Sequence, residues 1–170
     1  MKAKFKTSPE FHEFFLNELR DLYWAENHLL KALPKMQEAA TGPELAAAFE
    51  KHTEETEIHI ATLDQVFLLL DEKAQAKKCD AMEGLIREAE NIIEETDAGN
   101  LIRDAGLILA AQKIEHYEIV AYGSLKTFAK NMRQKEIAEL LQFTLDNEKA
   151  TDRALTQIAE DFVNEKAVAG

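Results

Sequence analysis

Four long stretches of the chain place an apolar residue every three or four positions, the repeat of a helix with one buried face. The first stripe is Phe15, Leu19, Leu22, Leu29 and Leu33, and the second Leu45, Phe49, Ile60, Leu63, Phe67 and Leu70. The third is Ile108, Ala111, Ile119 and Tyr122, and the fourth Leu141, Leu145, Leu155, Ala159 and Phe162. With only 6 Gly and 3 Pro, the chain lacks the turn residues that an all-β domain of 170 residues needs.

Boundary residues set the lengths. Ser8-Pro9-Glu10 reads as a helix cap and first turn, Pro34 is predicted to kink or end that helix a turn early, and Thr41-Gly42-Pro43 is a break. Glu72 to Lys78 reads as a loop. Asp80 is predicted to cap a shorter helix with Met82, Leu85, Ala89 and Ile92 inward, ended by Asp97-Ala98-Gly99-Asn100. The expected helices span 8–38, 43–71, 80–96, 101–130 and 134–165, within one domain over residues 1–170. The order long, long, short, long, long predicts an all-α, antiparallel four-helix bundle of two hairpins. The long crossover between them carries the short helix, as ferritin-like bundles require.

The net charge of −12 argues against nucleic acid, whose phosphates call for surplus Lys and Arg. No apolar run approaches the roughly 18 residues of a membrane span. The start, Met1 to Pro9, has no apolar core of a secretory leader, and the lone Cys79 allows neither an internal disulfide nor a cysteine metal cluster. A cytoplasmic protein is the expectation.

The informative residues are polar ones on apolar stripes. Glu26 is in line with Leu19, Leu22, Leu29 and Leu33. On the second helix His52, Glu55, Thr56 and His59 fall on or beside the core face, whereas Glu54 and Glu57 point away. Glu115 is in line with Ile108, Ala111, Ile119 and Tyr122, with Glu118 at the edge; Glu148 and Asp152 lie among Leu141, Leu145, Leu155 and Ala159. One such residue is ordinarily half-exposed or ion-paired. Five glutamates on four helices with no inward Lys or Arg are different, because bare buried anions cost several kcal/mol each.

Height along the bundle brings them together. Glu26 stands about 15 residues before the Gly42 turn and Glu55 about 13 after it; Glu115 stands about 17 before the break near Met132 and Glu148 about 16 after it. Glu26, Glu55, Glu115, Glu118, Glu148 and His59 are therefore expected in one layer. That layer suits a metal bound by oxygen and imidazole, such as iron or manganese, the alternative being a hydrated acidic network.

The stretches Ala25-Glu26-Asn27-His28 through Pro34-Lys35-Met36, His52-Thr53-Glu54-Glu55-Thr56, Cys79-Asp80-Ala81-Met82-Glu83-Gly84-Leu85, Glu115-His116-Tyr117-Glu118-Ile119 with Ala121-Tyr122-Gly123, and Glu148-Lys149-Ala150-Thr151-Asp152 carry a resemblance over nearly the whole chain. It resembles the YciF-like family of ferritin-like stress proteins, related in fold to rubrerythrin and bacterioferritin. The resemblance implies two metal ions, iron by preference with manganese or a mixed pair as alternatives. It implies Glu26 on the first helix, Glu55 with His59 on the second, Glu115 and Glu118 on the third, and Glu148 on the fourth. The usual Glu-x-x-His spacing fails on the second helix, where position 58 is Ile58, and Asp152 takes the histidine's place on the fourth. Such a set is rich in carboxylate and leans toward harder ions.

Two functions stay open. One is a di-iron or iron–manganese oxidoreductase reacting with oxygen or peroxide, its metals bridged by Glu55 or Glu118 and by Glu148, with Tyr122 either a hydrogen-bond or electron donor or a core filler. The other is a non-enzymatic structural or metal-binding stress protein. Trp24 points away from the core, so it packs under the crossover helix or, with Phe11 and Phe14, anchors a homodimer.

Overall fold

The computed structural model describes residues 7–170; the basic start, Met1 to Lys6, read above for a leader, lies outside them. The helices are α1 (Pro9–Ala39), α2 (Pro43–Leu69), α3 (Asp80–Glu95), α4 (Leu101–Asn131) and α5 (Lys135–Ile158). A π-helical turn, Ala159–Val163, leads from α5 into α6 (Asn164–Ala169), and the described residues contain no strand.

The α1–α2 and α4–α5 hairpins pack through α1 on α4 and α2 on α5, and α3 lies across α1 and α4. This is the all-α bundle with one crossover that the stripes predict. Ser8 caps α1, accepting from the Phe11 amide at 3.2 Å, with Pro9 in the first turn. Pro34 does not end α1, which runs on to Ala39. Pro34 is exposed, so the carbonyl its ring leaves unbonded is on the side where water can serve it. The cap of α3 is Cys79, not Asp80: the buried thiol sulfur accepts from the Met82 amide at 3.3 Å.

The π turn changes the register of the last stripe. One extra residue in a turn rotates everything after it. Val163 is therefore buried, whereas Phe162, expected inward, is 42% exposed.

Two adjacent residues of α4 lock the crossover. Arg103 donates to the Ile93 carbonyl at 2.9 Å, to the Thr96 carbonyl, and to the Thr96 hydroxyl at 3.0 Å, closing the end of α3. The buried Asp104 carboxylate accepts the amides of Thr41 and Gly42, both at 2.7 Å, closing the α1–α2 turn. A Cβ at position 42 would stand 3.1 Å from that carboxylate, so glycine permits the approach. Trp24 is half-buried against the core cluster that contains Cys79, Met82 and Ala89, and its ring stacks on His28.

The apolar core falls into two clusters. One holds Leu29, Leu33, Leu45, Phe49, Ile114 and Leu155; the other holds Phe15, Leu19, Leu22, Leu63, Leu125 and Leu141. Along each helix the polar residues singled out above lie between the two.

Candidate metal centre

Each long helix delivers acid or imidazole to this middle layer. Glu26 comes from α1, His52 and His59 from α2, Glu115 and Glu118 from α4, and Glu148 from α5, and all six residues are at least 98% buried. His52, Thr56 and His59 follow one another at four and three residues, so they share the inward face of α2.

The side chains form two groups that share one member. His52, Glu115, Glu118 and Glu148 bring donor atoms within 4.8 Å of one another, and so do Glu26, His59 and Glu148. Glu148 joins them with its two oxygens: Oε2 is 3.8 Å from His52 Nε2, and Oε1 is 2.9 Å from His59 Nδ1. His52 Nε2 also lies 3.0 Å from Glu115 Oε1, and His59 Nδ1 3.5 Å from Glu26 Oε1. The Tyr122 hydroxyl donates to Glu26 Oε1.

The outward nitrogens of the two imidazoles have partners of their own. His59 Nε2 is 2.7 Å from Asn147 Oδ1, and His52 Nδ1 is 3.5 Å from Glu55 Oε2 and from the Thr151 hydroxyl. Thus Nδ1 of His59 and Nε2 of His52 face the shared centre.

Burial shapes the charge. It pushes the Glu118 carboxyl well above the usual range, and the nearby Glu148, Glu26 and Glu115 push it further. Burial, with the charge of Glu115, lifts Glu148 to about 8 against the pull of His59. For His59 burial opposes the cation, yet hydrogen bonding to Glu148 and Glu26 raises it to about 10. For His52 burial is likewise outweighed, by Glu115 first, and the group is raised. Glu55 behaves in the opposite way: burial is overcome by His52, Asn147 and Lys51, which hold it at about 2.

Even so, Glu26 Oε2, His52 Nε2, His59 Nδ1, Glu115 Oε2, both oxygens of Glu118 and both of Glu148 are buried without an aligned hydrogen bond. Buried polar atoms ordinarily have partners. Eight such atoms converging on one layer fit a group that ligates all of them. Four carboxylates also balance two divalent cations if both imidazoles are neutral.

The structure therefore gathers Glu26, His59, Glu115, Glu118 and Glu148 of the expected set. It leaves out Glu55 and Asp152. Glu55 is half-buried at the edge of the inward face of α2 and turns to Lys51, His52 and Thr151. Asp152 turns to α4, 3.2 Å from His116 Nε2 and accepting from Gln112 at 3.2 Å. Glu54 and Glu57 are exposed, as their angular positions imply. His52 is the member that a search for Glu-x-x-His passes over; its seven-residue offset from His59 is the signal that finds it. With His52 the set is four glutamates and two histidines. That equals the ferritin-like complement, distributed differently: both imidazoles on α2, and the extra carboxylate on α4.

Residues 10–168 match the family described as a domain of unknown function, DUF892. Protein YciF of Escherichia coli K12 is 47% identical over 156 residues, which cover 91% of this chain and 93% of that protein. The crystal structure of the E. coli stress protein YciF superposes with a TM-score of 0.87 at 44% identity, covering 94% of this chain and all of the other. A Rhodopseudomonas palustris protein described as structural gives 0.83 at 38% identity, covering 94% and 99%. A Xanthomonas campestris protein shares the fold, with a TM-score of 0.70 at 21% identity over 88% and 91% of the two chains. The chain belongs to the YciF-like DUF892 family.

Proposed function

We propose that this chain is a stress-associated protein of the cytoplasm that holds two metal ions, iron by preference, in a carboxylate-bridged centre. The observation that carries the reading is the set of eight buried donor atoms without an aligned hydrogen bond, contributed by six residues from four helices. Glu115, Glu118 and His52 would hold one ion, Glu26 and His59 the other, and Glu148 would bridge them. Manganese, or a mixed pair, satisfies the same donors. Two bound iron ions supply one-electron redox chemistry toward oxygen or peroxide. The chain's own part is to exclude bulk water, to fix the imidazoles through Asn147 and Glu55, and to hold a proton on Tyr122 beside Glu26.

Anaerobic iron(II) titration of chelator-treated protein tests this. Two ions per chain are expected, with none in the Glu115→Gln/Glu148→Gln double variant. Binding of no ion, or unchanged stoichiometry in the variant, refutes the assignment.

A second reading has one observation in its favour: the R. palustris relative is described as a structural protein. Here the metals, or the His–Glu contacts without them, stabilise the bundle with no turnover. Two bound irons that consume no oxygen and no peroxide would select it.

A further inference from the structure

Thr144 departs from a pattern that the other threonines inside the helices keep. Thr53, Thr56, Thr62, Thr127, Thr151 and Thr156 each return the hydroxyl to the carbonyl four residues earlier, at 2.7 to 3.3 Å. Thr144 of α5 does not, although it is fully buried. Outside the eight donor atoms of the centre, its hydroxyl and Arg20 Nε are the buried side-chain polar atoms left without a partner among the described residues. A buried hydroxyl that neither its own backbone nor a neighbour uses is a cost to the fold unless something else takes it up.

Its place on α5 points to what that is. Thr144 stands four residues before Glu148, so the two share one side of the helix, with Cβ atoms about 5–6 Å apart. Helical side chains lean toward the N-terminus, which carries the Glu148 carboxylate back over the turn that holds Thr144. Three other ligands already have outer partners: Asn147 for His59 at 2.7 Å, Glu55 for His52 at 3.5 Å, and the Tyr122 hydroxyl for Glu26. Glu148, which both donor groups share, faces the two imidazoles, and neither of its oxygens has an aligned hydrogen bond. The unused buried hydroxyl and the shared ligand that lacks an outer donor are therefore one helical turn apart. Ligating carboxylates ordinarily have such a donor.

We propose that Thr144 is a positioning residue for the centre: with both ions in place, its hydroxyl donates to the Glu148 carboxylate and steadies the bridge between them. The inference rests on the reading of that centre as a two-metal site.

Two measurements on chelator-treated protein test it: guanidinium unfolding without metal, and anaerobic titration with iron(II). Thr144→Val keeps the shape of the side chain and removes the hydroxyl. Without metal its unfolding midpoint should equal or exceed that of the wild type, because no hydrogen bond is lost. With iron it should still take up two ions, both held about 10-fold or more weakly, since Glu148 serves both. Thr144→Ser restores the hydroxyl and should bind iron as the wild type does. A metal-free Thr144→Val that unfolds earlier, or does not fold, assigns the hydroxyl to the fold and overturns the proposal. So does an iron affinity that valine leaves unchanged, or that serine lowers as much as valine does. A wild type that takes up no iron refutes the centre itself, and the proposal falls with it.

Discussion

Removing metal should leave a bundle whose stability falls as pH rises. Glu148 goes from an ordinary value of 4.5 to about 8 on folding, Glu118 moves the same way, and His59 goes from 6.5 to about 10. For each, the folded state holds a proton that the unfolded chain releases. Stability from a raised group is complete below its unfolded pKa and is lost as pH climbs through the folded one. For Glu148 the window is 4.5 to about 8, and for His59 6.5 to about 10. Glu148 and His59 face each other, so a conservative reckoning gives one extra proton in the folded state between pH 6 and 8. That slope is about 1.4 kcal/mol per pH unit, or about 3 kcal/mol across the window. Glu55, held at about 2, adds stability above 4.5 that is lost only in acid, outside this range. With a guanidinium slope of about 3 kcal/mol per molar, the unfolding midpoint of chelator-treated protein should drop by roughly 1 M between pH 6 and pH 8. Glu118→Gln removes one repelling carboxyl and should raise the midpoint at pH 8. A wild-type midpoint that is level or rises across this range would refute the reasoning.

Metal should reverse that trend, because ligation displaces protons; the gain in melting temperature on adding iron or manganese should be larger at pH 7 than at pH 5, read by calorimetry. Asn147→Ala should weaken metal binding by about 10- to 100-fold while leaving two sites per chain, since His59 loses the partner that fixes its ring; an unchanged isotherm would remove Asn147 from that role. Asp104→Ala leaves the Thr41 and Gly42 amides without their acceptor and should cost about 3 kcal/mol in chemical denaturation, with no change in metal stoichiometry. With Trp24 half-buried, one apolar surface open to a second copy is the Phe11, Phe14 and Phe128 group, where Phe14 is 45% exposed. Phe14→Ser should loosen any homodimer seen by sedimentation, and a dimer it leaves intact does not use that surface.

The bundle was legible because its signals are local and repetitive: stripes, a Ser-Pro cap and few breakers dictate helix by helix. Glu26, Glu115 and Glu148 were legible for the same reason, each lying in the middle of an apolar stripe. What failed was decided off the helix axis. Glu55 lies one position from the face occupied by Thr56, so its direction depends on Lys51, His52 and Thr151 rather than on periodicity. Asp152 is drawn to His116 and Gln112 across a helix seam that no spacing encodes. Pro34 was tolerated because it falls on the exposed side of α1, and Phe162 was turned out by the π turn, a local change of pitch invisible in an apolar repeat. His52 shares the buried face of α2 with His59 seven residues later, a relation that the Glu-x-x-His spacing does not encode.

The most direct test of the account is anomalous diffraction at the iron edge from crystals grown without chelator and loaded anaerobically with iron(II). Two peaks are expected in each chain, one among His52, Glu115, Glu118 and Glu148, the other among Glu26, His59 and Glu148, with both oxygens of Glu148 engaged. A centre without iron, or iron bound instead by Glu55 or Asp152, would contradict it.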